Sequence, residues 1–288
     1  MNSPSNRTWT SRLGAPALWM VLPALLVLMA VATTAQAAAT VVPLGTAKQF
    51  AVLAGSGITN TGPTTINGDI GTFPTTTITG RNEMTINGTN HRGDAVTQQA
   101  KDDLVTAFKN AAGQGPTNPI TTDLGGKTLV RGVYNSASSL GLTGTLTLNG
   151  QNDPDSVFIF QAGSTLTTAP ASRVVLTNGA QACNVFWQIG SSATLDTTTV
   201  FRGTILARTS ITANTGSTIH GRLLARNGAV TLDTVTILKP GCAGAAPGPT
   251  PTPRPSSSPS PTPTPTSTPG VIQGPGPSTP KNDFGLTG

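Results

Sequence analysis

Residues 199–208 read TVFRGTILAR and residues 217–226 read STIHGRLLAR, so one pattern returns after 18 residues. An earlier pair, residues 65–68 and 85–88, repeats the letters TING after 20 residues. Self-similarity at a fixed period is typical of solenoids, in which each repeat is one coil stacked on the next. A repeat of this length holds three short strands and three turns. We therefore predict a mainly β fold, a right-handed β-helix (solenoid) of roughly triangular section, since right-handed crossovers are the default.

A second pattern places two threonines three residues apart in residues 165–168 (TLTT), 194–197 (TLDT), 212–215 (TANT) and 231–234 (TLDT). The last three segments start 18 and 19 residues apart, in step with the coil repeat. Apolar residues such as Ile211 and Ala213 alternate with Thr212, and side chains alternate between the two faces of a strand. These segments are therefore predicted to form a sheet with one wet face.

The wet face is the candidate functional site, because stacked coils place equivalent side chains in rows. Threonine has a stiff side chain that offers both a methyl and a hydroxyl group. A rigid sheet of such side chains can hold water in a regular lattice, and ice is a ligand whose own repeat could match it. Asp196 and Asp233 would place carboxylates on the same face. The predicted binding residues are Thr165, Thr167, Thr194, Thr212, Asn214, Thr215, Thr231 and Thr234.

One segment departs from the strand pattern, and we predict a long α-helix over about residues 91–112. Asp94 is placed to cap its start and Gly113 to end it. The strands predicted at 157–162 and 185–189 are apolar at successive positions, so both of their faces should be covered. The helix is the expected cover for their outer face. Its apolar residues fall four apart, at Val96, Ala100, Leu104 and Phe108.

The ends of the chain differ in composition from the middle and define three regions. Residues 1–37 have a basic start, an apolar run and an Ala-Gln-Ala site, as in a secretory signal peptide. A membrane anchor is the alternative, although Pro23 interrupts the apolar run. Residues 41–242 form the predicted solenoid domain. Residues 243–288 form a Pro/Thr/Ser-rich linker or stalk and tail, which could hold the domain on a cell wall or matrix.

Composition and charge exclude several classes of function. Only 10% of the residues are charged and the net charge is +6, with the basic residues scattered along the chain. This pattern does not favour a nucleic-acid groove. No cluster of carboxylates, nucleophile elbow or phosphate-binding loop is visible, and Asp153 and Asp155 lie in a predicted turn around Pro154. We expect no enzymatic activity, no cofactor and no small-molecule substrate.

The two cysteines, Cys183 and Cys242, suggest one disulfide in a secreted chain. Two buried free thiols remain the alternative. With His91 and His220 as the sole histidines, the sequence offers no recognisable spacing for a metal site.

At this point the chain resembles the microbial ice-binding (antifreeze) proteins. The similar stretches run in order from residue 44 to residue 238, among them 49–55, 157–161 and 203–233. The resemblance implies a right-handed β-helix with one long α-helix along a side, and an ice site on the flat face. Some members carry Thr-(Ala/Gly)-x-(Thr/Asn) there, which residues 212–215, 215–218, 61–64 and 79–82 match. It predicts a secreted or cell-surface protein whose partner is ice or ordered water. A cell-surface adhesin or matrix solenoid without ice affinity is the alternative.

Overall fold

The backbone winds into stacked coils whose strands pair in parallel. A computed structural model describes residues 39–115, 117–120 and 123–242. The predicted signal peptide and the predicted stalk and tail lie outside these residues. No helix in the described ranges is long and apolar enough to cross a membrane.

The described chain holds one α-helix, three short 3-10 helices and twenty-two short strands. The α-helix, α1, spans Ala95–Gly113, and the 3-10 helices span Gly45–Gln49, Arg81–Glu83 and Ala182–Asn184. In chain order the strands are β1 (Phe50–Ala54), β2 (Gly57–Thr61), β3 (Thr64–Asn67), β4 (Asp69–Thr72), β5 (Ile78–Thr79), β6 (Met84–Asn87), β7 (Asn90–Arg92), β8 (Thr117–Pro119), β9 (Thr128–Val130), β10 (Gly132–Ser136), β11 (Leu140–Leu142), β12 (Thr145–Asn149), β13 (Phe158–Ala162), β14 (Leu166–Thr168), β15 (Arg173–Thr177), β16 (Val185–Ile189), β17 (Ala193–Leu195), β18 (Val200–Ala207), β19 (Ile211–Ala213), β20 (Thr218–Ala225), β21 (Ala229–Asp233) and β22 (Thr236–Leu238).

Two sheets divide the solenoid surface. A seven-stranded sheet runs in the order β11-β14-β17-β19-β21-β2-β5, and we call its outer side the flat face. The other sheet has fifteen strands. It bends because β18 and β20 continue round a corner at Gly203 and Gly221, which lie side by side in the two strands. Gly203 has a φ of 112°, a backbone conformation that favours glycine. The predicted solenoid is therefore confirmed.

The coils do not stack in the order of the chain. β21 pairs with β2, β22 with β3, and β20 with β1, so the last coil lies against the first. Helix α1 follows β7 and contacts strands from both ends of the chain, including β7, β13, β16 and β18. The helix thus carries the chain from the first coils to the far end, and the later coils return to meet the start.

The interior is filled by alternate side chains of the strands. The aromatic rings of Tyr134, Phe160 and Trp187 stack in one row, with ring centroids 5.5 Å and 4.1 Å apart. Their strands are in register, so equivalent positions of successive coils hold these rings. The indole N–H of Trp187 donates to the carbonyl of Arg202 at 3.0 Å. This hydrogen bond satisfies the one polar group of the buried Trp187 side chain.

Helix α1 covers one side of the larger sheet, as predicted. The Asp94 side chain caps its start by accepting a hydrogen bond from the backbone N–H of Thr97. Leu104 and Ala107 are fully buried in a second core with Leu53, Ile159 and Leu206. The apolar stripe differs from the prediction at Val96, which is 38% exposed. A strict four-residue spacing drifts about 40° per step round a helix of 3.6 residues per turn, so the start of the stripe turns away from the sheet.

A lysine on the buried side of α1 joins the helix to the end of β20. Lys101 is 8% exposed, and its Nζ donates to the carbonyls of Ala225 and Arg226, both at 2.6 Å. Burial, with a smaller effect of the nearby Arg226, lowers the pKa of Lys101 to about 8.

The predicted disulfide joins Cys183 to Cys242, with the two Cα atoms 5.6 Å apart. It excludes the alternative of two free thiols. The bridge ties the end of the described chain to the 3-10 helix before β16. Residues 151–155 form turns, as predicted for the aspartates around Pro154.

Buried hydroxyl groups line the corner that follows the flat face. Thr168 is buried, its Oγ1 lies 2.8 Å from Oγ1 of Thr199, and it accepts the backbone N–H of Asp196. Ser217 donates to the carbonyl of Asp196 at 2.8 Å. These bonds satisfy backbone groups where the chain leaves one sheet for the other. Thr167, one residue earlier, is exposed because neighbouring side chains point to opposite faces.

Thr168→Val should lower the free energy of unfolding by about 1–3 kcal/mol, because the Asp196 N–H and the Thr199 hydroxyl lose a buried partner. Urea denaturation measures the change. The matched control Thr167→Val changes the same side chain on the outer surface and should stay within about 0.5 kcal/mol of the wild type. Equal losses in the two variants would contradict the assigned orientation.

Lys101→Met should alter how stability depends on pH. The folded-state pKa of Lys101, about 8, lies below its ordinary 10.5. Between these values the unfolded chain binds more protons, so the wild type should gain unfolding free energy as the pH rises from 8 to 10. Lys101→Met should lack this gain, which is at most about 3 kcal/mol. Lys109→Met, on the exposed side of α1, should keep it, and identical slopes in all three proteins would contradict the assignment.

Candidate functional site

A continuous row of threonines runs along the flat face. The register pairs Thr167 with Thr194, Thr194 with Thr212, and Thr212 with Thr231. Thr231 then pairs with Thr59, and Thr59 with Thr79. Six threonines therefore occupy equivalent positions in six adjacent strands, and we call them the threonine row. With about 4.8 Å between strands, the row is about 24 Å long.

The threonine row projects outward from a firm apolar layer. The residue before each threonine points into the core, as Ile211, Val230 and Ile58 do, and all three are fully buried. Thr167 at one end of the row and Thr59 and Thr79 at the other are exposed, and the three threonines between them are half-buried by their neighbours. Adjacent strands hydrogen-bond to one another along the row, so it is held flat by the backbone.

A row of small hydroxyl side chains lies beside one half of the threonine row, two residues earlier in four adjacent coils. Ser139, Thr165, Ser192 and Ser210 occupy it, and the hydroxyl of Thr165 donates to that of Ser139 at 2.9 Å. The sequence pattern instead aligned Thr165 with Thr194, which is wrong by two residues, because Thr167 is the partner of Thr194. A two-residue shift leaves Thr165 on the same face but moves it to the neighbouring row.

The row on the other side carries the charges of the flat face. Asn214 lies between Asp196 and Asp233 and donates from Nδ2 to Asp196 Oδ1 at 3.2 Å. Asp196 also accepts the backbone N–H of Thr197 at 2.7 Å. Both aspartates are half-buried, so each carboxylate is held by neighbouring groups. The predicted outward positions of Asn214, Asp196 and Asp233 agree with this geometry.

Thr215 and Thr234 lie at the corner after their strands and outside the threonine row. The Thr215 hydroxyl donates to Asp233 Oδ2 at 2.5 Å, and the Thr234 hydroxyl donates to Asp233 Oδ1 at 3.1 Å. Thr234 has a φ of 49°, since the chain turns there. Both hydroxyls therefore bind a carboxylate of the protein itself. Their predicted role in binding stays a prediction.

Three of the four matches to the Thr-(Ala/Gly)-x-(Thr/Asn) pattern also run through corners. Residues 215–218 lie between β19 and β20, residues 61–64 between β2 and β3, and residues 79–82 enter a 3-10 helix. The matches at 61–64 and 79–82 start at the last residue of β2 and β5, whereas residues 212–215 start in the middle of β19 and place Thr212 and Asn214 outward on the flat face.

Sequence reasoning did not place Thr59 and Thr79 in the threonine row, although the pattern match at residues 79–82 begins at Thr79. Both belong to the first coils, which meet the last coil through pairing between β2 and β21. The alternation of Ile58 with Thr59 resembles that of Val230 with Thr231, and this is the signal that a comparison of distant coils would have found. A search for a fixed period along the chain cannot detect it.

The flat face is a regular surface. It offers rows of methyl and hydroxyl groups at fixed spacing, about 4.8 Å across the strands and about 6.7 Å along them. In the described part of the chain, no three His, Cys, Asp or Glu side chains come together in a way that could hold a metal ion. His220 lies beside Arg202 in the larger sheet, and burial together with that arginine lowers its pKa.

Comparison with known proteins agrees with this architecture. The ice-binding-like family model matches residues 52–238. The chain is 52% identical over 199 residues to an ice-binding protein from Nostoc sp. (strain HG1), covering 68% of this chain and 74% of the relative. A crystal structure of an ice-binding protein from an Antarctic biological consortium superposes with a TM-score of 0.69 at 46% identity, covering 70% of this chain and 92% of that one. An ice-binding protein from the Antarctic ascomycete Antarctomyces psychrotrophicus gives 0.67 at 45% identity, covering 69% and 98%. A match over most of the described solenoid, supported by sequence and by structure, places this chain in the ice-binding-like family.

Proposed function

We propose that this protein is secreted and adsorbs to ice through its flat face, slowing ice growth and recrystallisation. The threonine row is the observation that carries the proposal, because it sets six identical side chains in register on a rigid sheet. The relatives named as ice-binding proteins support ice as the ligand. The signal-peptide pattern of residues 1–37 supports secretion.

The chemistry of the face suits ordered water. Threonine hydroxyls can donate to and accept from water, and the methyl groups limit disordered hydration between them. Because β-branching restricts χ1, these groups need little further ordering when the surface meets a crystal. A regular lattice can then meet many equivalent groups at once. Adsorbed protein would make the growing ice front curve between the bound molecules, which slows its advance.

The proposed contact is centred on the threonine row and on the small hydroxyl row beside it. It therefore includes Thr59 and Thr79 with Thr167, Thr194, Thr212 and Thr231, and Thr165 from the neighbouring row. Asn214 is a contact at the edge. Thr215 and Thr234 contribute by holding Asp233 in place. We assign the aspartates to the edge of the flat face, where they join neighbouring coils and weaken the ice contact through their own hydration.

Thr212→Tyr should reduce inhibition of ice recrystallisation by about tenfold or more, corresponding to about 1.4 kcal/mol of lost adsorption. Thr212 is in the middle of the threonine row, so a ring there holds the face away from a flat crystal. The measurement is the protein concentration that halves the recrystallisation rate, with folding checked by circular dichroism.

The matched control for this experiment is Thr106→Tyr, the same substitution on the exposed side of α1. It should leave the activity unchanged. Equal activity in the wild type and both variants would place the contact on another face. A wild-type protein that neither shapes ice nor partitions into it would remove the proposal and favour an adhesin or matrix role.

Asp196→Asn and Asp233→Asn should each keep the fold and strengthen ice adsorption by roughly two- to fivefold, up to about 1 kcal/mol. An amide keeps a hydrogen-bonding oxygen for Thr215 or Asn214 but is less strongly hydrated than a carboxylate. Ice-affinity partitioning compares the bound fractions. Asp102→Asn, on the exposed part of α1, is the charge-matched control, and weaker partitioning of the flat-face variants would show that the carboxylates help to hold ice-like water.

A further inference from the structure

A cavity on another part of the molecule contains a buried positive charge. Its volume is about 490 Å³, within the range of small-molecule sites, which is about 300–1,000 Å³. Val42, Leu44 and Phe186 give it apolar walls, and each is less than a tenth exposed. The disulfide closes one side. This cavity lies outside the flat face, because none of the seven strands of that face contributes to its lining.

Arg222 is the charged group within the cavity lining. It is 2% exposed, yet every partner of its guanidinium among the described residues is neutral. Nε donates to the carbonyl of Lys48 at 3.0 Å, Nη1 to the Thr204 hydroxyl at 3.3 Å, and Nη2 to the carbonyl of Pro240 at 3.5 Å. A guanidinium has five N–H donors, so two remain, and the contact at 3.5 Å is weak.

The charge of Arg222 has no counter-ion in the described part of the chain. None of the ion pairs found there, which extend to 4.0 Å, includes it. Burial lowers its pKa to about 10, so it stays charged at neutral pH. Lys48 adds a second positive charge to the lining, and no acidic residue contributes to it. A buried charge without an opposite charge is costly, and an anion in the cavity would offset that cost.

We propose that this cavity binds a small organic carboxylate with a short apolar tail. The carboxylate would accept the remaining N–H groups of Arg222, since guanidinium and carboxylate match as paired donors and acceptors. The tail would lie against Val42, Leu44 and Phe186. The binding needs both parts of the ligand, because the cavity combines one buried cation with apolar walls. It is independent of the flat face and of ice.

Hexanoate is the probe, and isothermal titration calorimetry with the full mature chain is the measurement. We expect saturable binding of one hexanoate per chain, at least about tenfold tighter than that of hexanol, which lacks the charge, or of sulfate, which lacks the tail. In a ¹H–¹⁵N spectrum, shifts should concentrate at residues 41–48 and 183–186. Equal affinity for hexanol, or no binding of hexanoate at millimolar concentration, would overturn the proposal without any mutation.

Arg222→Met keeps the length and packing of the side chain and removes its charge, so hexanoate affinity should fall at least tenfold. Arg226→Met is the matched control, because that arginine stacks over Phe108 of α1, 4.8 Å from the ring centroid, and does not line the cavity. It should bind hexanoate like the wild type. Undiminished binding by a folded Arg222→Met protein would refute the role of the guanidinium. Ice-affinity partitioning should be the same in both variants.

Discussion

Parallel pairing between successive coils is the constraint on which the rest of the structure depends. Each coil is too short to bury its own apolar side chains and obtains a core by stacking. The backbone hydrogen bonds of the stack fix the register, and the register decides which side chains form rows. The aromatic row in the core and the threonine row on the surface are two results of the same pairing. A change that shifted one strand by a single residue would turn the side chains of that strand to the opposite face and remove its member from the row.

The fold could be predicted from the sequence because its signals are local. The repeat of residues 199–208 in 217–226 appears directly as the pairing of β18 with β20. The composition of residues 91–112 indicated α1, and the capping aspartate was found at Asp94. The prediction that Val96 belongs to the buried stripe was wrong, because a spacing of four residues matches the helical period of 3.6 only over a short distance. The disulfide was predicted from an even number of cysteines in a chain whose first residues have the pattern of a signal peptide.

The functional surface was predicted in part, and its errors share one cause. Letter patterns align residues along the chain, whereas the rows are set by hydrogen bonds between coils. Thr165 was therefore assigned to the wrong row. Thr215 and Thr234 were predicted as binding residues, and they lie at the corner just after β19 and β21. Thr59 was not placed in the row because its neighbour Thr231 comes from the other end of the domain, and Thr79 joins the row through Thr59. Register between distant segments cannot be read from a local pattern.

Because the last coil pairs with the first, the flat face is completed late in folding. Thr231 and Thr59 are neighbours in the threonine row, although one belongs to the end of the domain and the other to its beginning. A chain leaving the ribosome therefore carries two separate parts of the face until its final strands have emerged. The joining step is a long-range contact, and such contacts form late and slowly. The complete threonine row therefore exists only after the whole domain, from first coil to last, has folded.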